Sequence, residues 1–179
     1  MIINIRTRAW LILFIYIIII LSTLSIMPEV WRVLSINLGK SINAVPYILT
    51  ALFFLGLSIY IFHYKQKKLY LFFWILLFFM VYFFLMKGLK FPAERIHFLE
   101  YGLLSYFAYK ALERDLSKKK VYFFAFFTVI LVCLLDEGIQ YLLPNRVGDL
   151  QDVSLNIVSG VLGLTITGLI VKAEASEAA

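Results

Sequence analysis

Residues 121–143 read VYFFAFFTVILVCLLDEGIQYLL, an apolar run with Asp136 and Glu137 in its last third. A helix needs about 20 mostly apolar residues to cross ~30 Å of hydrocarbon, so this run predicts a spanning helix. Its two carboxylates are costly there. A charge near the bilayer centre costs roughly 2.5–3.5 kcal/mol on the insertion scale, and less towards the interface. Ionisable residues inside such segments are usually functional. At 1.5 Å rise per residue, Asp136 sits about 22 Å along the run, well past its middle.

Five further runs have the same character: Ala9 to Met27, Ala44 to Phe62, Leu69 to Met86, Ile96 to Leu112 and Val153 to Val171. Together they predict an all-α, polytopic membrane bundle of about six transmembrane helices in one domain, 1–179. The polar tail is Lys172 to Ala179. Composition agrees: 63% of the residues are hydrophobic and 16% charged, with a mean hydropathy of +0.91. Soluble domains carry about 45–50% apolar and about 25% charged residues. The first run follows Arg6 and Arg8 and is too long for a signal-peptide core, and no Ala-x-Ala-like site closes it, so it reads as a retained span. The longest connection, Met27 to Ala44, carries Trp31, which suits the membrane interface.

The net charge of +6 raises the question of nucleic acid, but the basic residues occupy the connections. Topology and contact with anionic lipid explain them better. Eleven of the seventeen Lys and Arg residues fall on the amino-terminal side of the six runs. Both termini are therefore expected in the cytoplasm, a parity that six spans satisfy. The single Cys133 excludes an internal disulfide and reads as a small buried apolar residue.

With that orientation the polar residues share one depth. His97, Glu100 and Tyr101 open the fourth run, Asp136, Glu137 and Gln140 close the fifth, and Asn156 lies early in the sixth. The connection between the last two carries Pro144, Asn145, Arg146, Asp149 and Asp152. Three helices thus present polar groups in the outer leaflet.

His97 is three residues from Glu100 and four from Tyr101, so the three share a helix face. A His with a carboxylate one turn away suits a general acid or base with an orienting partner. It equally suits half of a metal site, or a hydrogen-bonded structural pair. Asp136 and Glu137 point about 100° apart, which leaves one of them facing the centre. Arg146 is the nearest basic partner in sequence, as a clasp for the outer helix ends or as a binder of an anionic head group. Asp152 suits an N-cap, Asn156 a hydrogen bond across helices, and Ser159 with Gly163 a small-x-x-x-small packing pair. The four nearby carboxylates with His97 could hold a hard cation, but no spacing here specifies a metal ligand set, and the cofactor is left open.

These residues resemble the VanZ-like family of bacterial multi-span membrane proteins. The first block is Glu94-Arg95-Ile96-His97-Phe98-Leu99-Glu100-Tyr101-Gly102. The second is Asp136-Glu137-Gly138-Ile139-Gln140, followed by Pro144-Asn145-Arg146, Asp152, Asn156 and Gly163. The likeness covers about 91–170. Asn145 stands where the family often has Gly, and Ser159 where it often has Gly after the Asn. The resemblance implies work at the cell envelope, including lowered sensitivity to glycopeptides such as teicoplanin, and supplies no reaction.

The expectation is an outward-facing polar pocket in the cytoplasmic membrane that binds or modifies an envelope lipid or a lipid-linked wall precursor. Its partners would be membrane lipids, such a precursor or a lipoglycopeptide, and no nucleic acid; oligomeric state is open. If it is an enzyme, His97, Glu100, Asp136 and Glu137 carry the chemistry. Tyr101, Gln140, Arg146, Asp149, Asp152 and Asn156 would contact the substrate. The competing readings are a non-enzymatic binding or scaffold protein and a small transporter. No polar path through the second and third runs supports transport.

Overall fold

The computed structural model describes residues 4–64, 69–144 and 149–175. Seven α-helices follow in order: α1 (Ile5–Thr23), α2 (Met27–Leu38), α3 (Val45–Tyr64), α4 (Leu69–Lys87), α5 (Pro92–Leu112), α6 (Lys118–Leu142) and α7 (Leu150–Ala175). A 3-10 segment, Gly39–Ala44, joins α2 to α3, and the described residues contain no strand. Five segments are long and apolar enough to cross a membrane: those of α1, of α2 through α3 (Met27–His63), and of α4, α6 and α7. Large apolar side chains such as Ile18, Phe73 and Phe84 stand more than 60% exposed, a surface suited to lipid and not to water.

α5 is not among the five, because Glu94, Arg95, Glu100 and Lys110 interrupt its apolar sequence. It lies inside the bundle instead, in contact with α1, α3, α4, α6 and α7. Polar residues in an apolar solvent face the protein interior, and here a whole helix follows that rule. The core divides around it. Leu13, Leu104, Val129 and Leu164 belong to one apolar cluster, and Phe54, Phe78, Tyr82 and Phe98 to another.

Small residues let α7 approach its neighbours. A Cβ on Gly163 would lie 2.5 Å from the Gly102 carbonyl oxygen, and one on Gly160 2.5 Å from Val129 Cγ1. The Ser159 hydroxyl donates to the Phe98 carbonyl of α5. Ser159 and Gly163 are thus packing residues, as their spacing suggested.

Helix ends depart from the sequence reading in explicable ways. The connection from Met27 is largely helical, since Pro28 fits the first turn of α2 and Gly39, at φ 53°, ends it. Its 12 residues rise about 18 Å, too short for a span. α5 starts four residues earlier than the apolar run, where Pro92 supplies helical φ and Glu94 Oε2 accepts from the Phe91 N–H at 3.4 Å. α6 ends because Leu143, held extended before Pro144, leaves the helical region. α7 continues to Ala175, four residues past the end of the last apolar run.

Arg95 is buried and structural. Its guanidinium donates to the carbonyls of Met86 (3.1 Å), Leu89 (2.7 Å) and Asn43 (3.4 Å) and lies 5.2 Å from the Tyr47 ring centre. It thereby satisfies carbonyls at the end of α4, which have no partner within the helix. At the opposite end, Arg6 and Trp10 both reach Asp115 in the α5–α6 turn, at 2.7 and 2.9 Å.

Candidate functional site

A cavity of about 250 Å3 opens between α1, α2 and the start of α3 on one side and α5 and α6 on the other. Its wall is mostly apolar: Ile20 from α1 and Leu24 just past its end, Met27, Val30, Trp31 and Leu34 from α2, Val45 and Leu49 from α3. His97, Glu100 and Asp136 give it one polar region. The helical register explains why α2 contributes as it does. Positions 27, 30, 31 and 34 follow the i, i+3, i+4, i+7 spacing of a single stripe.

Helix spacing also assembles the polar region. His97 and Glu100 lie one turn apart on α5, with Nδ1 3.2 Å from Glu100 Oε2. That nitrogen is buried but lacks the alignment of a hydrogen bond. The two groups are therefore close enough to pair when the imidazole is protonated, while the hydrogen-bonding capacity of Nδ1 is not taken up. Tyr16 of α1 donates to the Glu100 carbonyl at 3.1 Å and fixes this turn of α5.

Asp136 is fully buried and arranged as an acceptor. The Tyr101 hydroxyl donates to Oδ2 at 2.5 Å, and Gln140 Nε2 to Oδ1 at 3.0 Å. Buried carboxylates need such donors, because desolvation without a partner costs several kcal/mol. Asp136 and Asp152 both lie within electrostatic reach of His97.

Glu137 departs from expectation. It does not line the cavity, yet it is also buried, so both adjacent carboxylates face protein instead of one. Its Oε2 accepts from the Asp149 N–H at 3.1 Å and its Oε1 from Gln140 at 3.3 Å. Each side chain lands on a different neighbour, so the 100° between them is accommodated twice. Glu137 is thus a tie between the end of α6 and the start of α7, a staple made to backbone.

The helix cap of α7 is Asp149, not Asp152. Asp149 Oδ1 accepts from the Gln151 N–H at 2.9 Å, while Asp152 occupies the first turn and is partly buried. An acidic residue there complements the positive helix end. Asn156 is fully buried, but neither amide atom has a hydrogen-bond partner among the described residues. The expected bond across helices is therefore absent from that set. Arg146 lies outside the described residues.

The site joins His97, Glu100, Tyr101, Asp136 and Gln140, with Glu137, Asp149 and Asp152 behind them at the α6–α7 connection. The α2 wall was missed in the sequence, and its stripe at 27, 30, 31 and 34 was the available signal. Among the described residues, no three of His, Cys, Asp and Glu come together closely enough to hold a metal ion. Cys133 is free and fully buried in apolar packing. Chemically, the arrangement can seat a hydrocarbon chain against α1 and α2 and offer its polar end an imidazole and two carboxyl groups. Comparison with known families, curated proteins and solved structures finds no match for this chain.

Proposed function

We propose that this chain is a multi-pass protein of the bacterial cytoplasmic membrane whose α1–α2–α5–α6 cavity binds an envelope lipid or lipid-linked wall precursor. α5 counts as the sixth span, both termini face the cytoplasm, and the cavity opens in the outer leaflet. The observation that carries this reading is the cavity itself: apolar walls of about 250 Å3 ending at His97, Glu100 and Asp136. Ligand sites have this composition, mostly apolar with a few convergent polar groups. The VanZ-like resemblance supports the same location and suggests lowered glycopeptide sensitivity as the phenotype.

In this reading the acyl or prenyl chain lies against Ile20, Leu24, Val30 and Leu34. The head group meets His97, which Glu100 approaches at 3.2 Å, and Asp136, which Tyr101 and Gln140 hold in place. If a bond is made or broken, His97 is the group placed to exchange a proton with the head group. Glu137 serves the site indirectly, by fixing the connection to α7.

Native mass spectrometry of protein extracted in mild detergent tests binding. Wild type is expected to retain lipid, and His97→Ala with Asp136→Asn to lose it at unchanged yield and helix content. Equal lipid in the double variant and wild type would refute the reading. Lipid binding that survives His97→Ala alone, with the glycopeptide phenotype intact, would favour a purely non-enzymatic binder.

A further inference from the structure

A groove of about 630 Å3 runs open between α6 and α7. Tyr122 and Phe126 wall it on one helix, Val161, Leu164 and Gly168 on the other, and Lys172 stands at its end. Close contacts fix its frame. A Cβ on Gly160 would meet Val129, and one on Gly168 would lie 2.9 Å from the Tyr122 hydroxyl, so the two helices run antiparallel with these pairs side by side. Lys172 is therefore level with the first turn of α6, which carries Lys119 and Lys120 and no acidic residue.

Polar capacity is left over at that end and not farther along. The Thr165 hydroxyl, within the groove, is taken up by the Val161 carbonyl at 2.8 Å. Lys119, Lys120 and Lys172 are exposed and enter no ion pair among the described residues. Other basic residues at this end have partners, Arg6 in Asp115 and Lys110 in Glu113. The Tyr122 hydroxyl, left uncovered where Gly168 has no side chain, has no hydrogen-bond partner among the described residues. Glu174, two positions past Lys172, falls about 200° around α7 from it. The length of the groove matches one leaflet. From Val161 to Lys172 the helix rises about 16 Å, and half of a ~30 Å hydrocarbon core is about 15 Å.

We propose that the α6–α7 groove seats an anionic phospholipid, with an acyl chain against Phe126, Val161 and Leu164 and its phosphate at Lys172, Lys119 and Lys120. Basic residues at the ends of spanning helices hold such head groups. The Tyr122 hydroxyl donates to an ester or phosphate oxygen. This lipid is separate from the ligand of the cavity beneath α2 and requires only that the chain spans a membrane.

Native mass spectrometry of the delipidated protein in detergent, titrated with phosphatidylglycerol or phosphatidylcholine of equal chains, tests the proposal. Phosphatidylglycerol is expected to bind with a Kd about tenfold below that of phosphatidylcholine. Lys119→Gln, Lys120→Gln and Lys172→Gln combined should bring the two Kd values together. Thr165→Trp fills the groove from an exposed position and should weaken both lipids at an unchanged Tm. Equal Kd values in the wild type would overturn the proposal, as would a preference that survives the triple lysine variant. A preference lost with the lysines but untouched by Thr165→Trp would overturn the groove as the seat. A dimer that Thr165→Trp dissociates, without lipid preference, would assign the groove to a second copy and overturn it too. His97→Ala should leave the preference as in wild type, so this proposal and the cavity reading fail separately.

Discussion

Two cavities of nearly equal size flank α5, about 250 Å3 beneath α2 and about 260 Å3 between α3, α4, α5 and α7. The first ends on His97, Glu100 and Asp136. The second is walled by Phe53, Tyr82, Phe98, Leu103 and Tyr106, and the one charged residue among its described lining, Lys110, is held by Glu113 at 2.9 and 3.1 Å. Volume therefore does not separate the two. What separates them is whether polar groups face the space with capacity left over. Around the second cavity the small residues Gly102 and Gly163 serve helix approach, so change there should be read in stability. Around the first, change should be read in binding.

The largest effect should come at the second cavity. Gly163→Val places side-chain atoms against the Gly102 backbone, which cannot yield as a flexible side chain would. A loss of about 3 kcal/mol is expected, seen as lower membrane abundance and a lower Tm in detergent. A stable Gly163→Val protein would show that α5 and α7 are not closely packed.

Arg95→Met comes next. It removes a donor from three carbonyls at the end of α4 and in the 3-10 segment, of which that of Met86 keeps the Leu89 N–H. About 2 kcal/mol of stability should be lost, since hydrogen bonds from charged groups contribute about 1.5–3 kcal/mol each and some carbonyls recover partners. Lipid retention per folded molecule should stay as in wild type. Loss of retention would make Arg95 part of the site.

Glu137→Gln sharpens the contrast within one pair of neighbours. Its amide oxygen can still accept from the Asp149 N–H, so about 1 kcal/mol of stability should go, with binding kept. Asp136→Asn should lower binding as well as stability, because its amide NH2 must face one of the two donors, Tyr101 or Gln140. If Glu137→Gln abolishes binding at normal abundance, the division between the two carboxylates fails. The smallest effect is expected of Leu103→Phe, which fills the second cavity: about 0.5 kcal/mol in stability and none in lipid retention.

The sequence made the polar end of the first cavity readable because ionisable residues in apolar runs stand out by their cost. His97, Glu100 and Asp136 were visible for that reason. Their grouping followed from register and from counting the runs. The α2 wall was not visible in the same way. Glu29 and Arg32 break its hydropathy, and its 12 residues are fewer than a span needs. A stripe of apolar residues at 27, 30, 31 and 34 carried the signal instead. The partner of Glu137 was unreadable for a different reason. It is a backbone N–H across a connection, and no residue type announces a backbone donor. Between Asp149 and Asp152, composition cannot choose a cap; the first helical hydrogen bonds, from Asp152 and Val153 to the Asp149 carbonyl, decide it. The charges of α5 marked it as unlike the other runs, while its central position comes from packing against α1, α3, α4, α6 and, most closely, α7.

Photo-crosslinking from the chain side discriminates between the cavities most directly. An amphiphile with a diazirine on its chain is added to membranes holding the wild-type protein, and adducts are mapped by peptide mass spectrometry. Adducts concentrated on Ile20, Leu24, Trp31 and Leu34, and diminished in Asp136→Asn, are the predicted result. Adducts spread equally over Phe53, Leu103 and the lipid-facing residues of α4 would contradict a ligand site beneath α2.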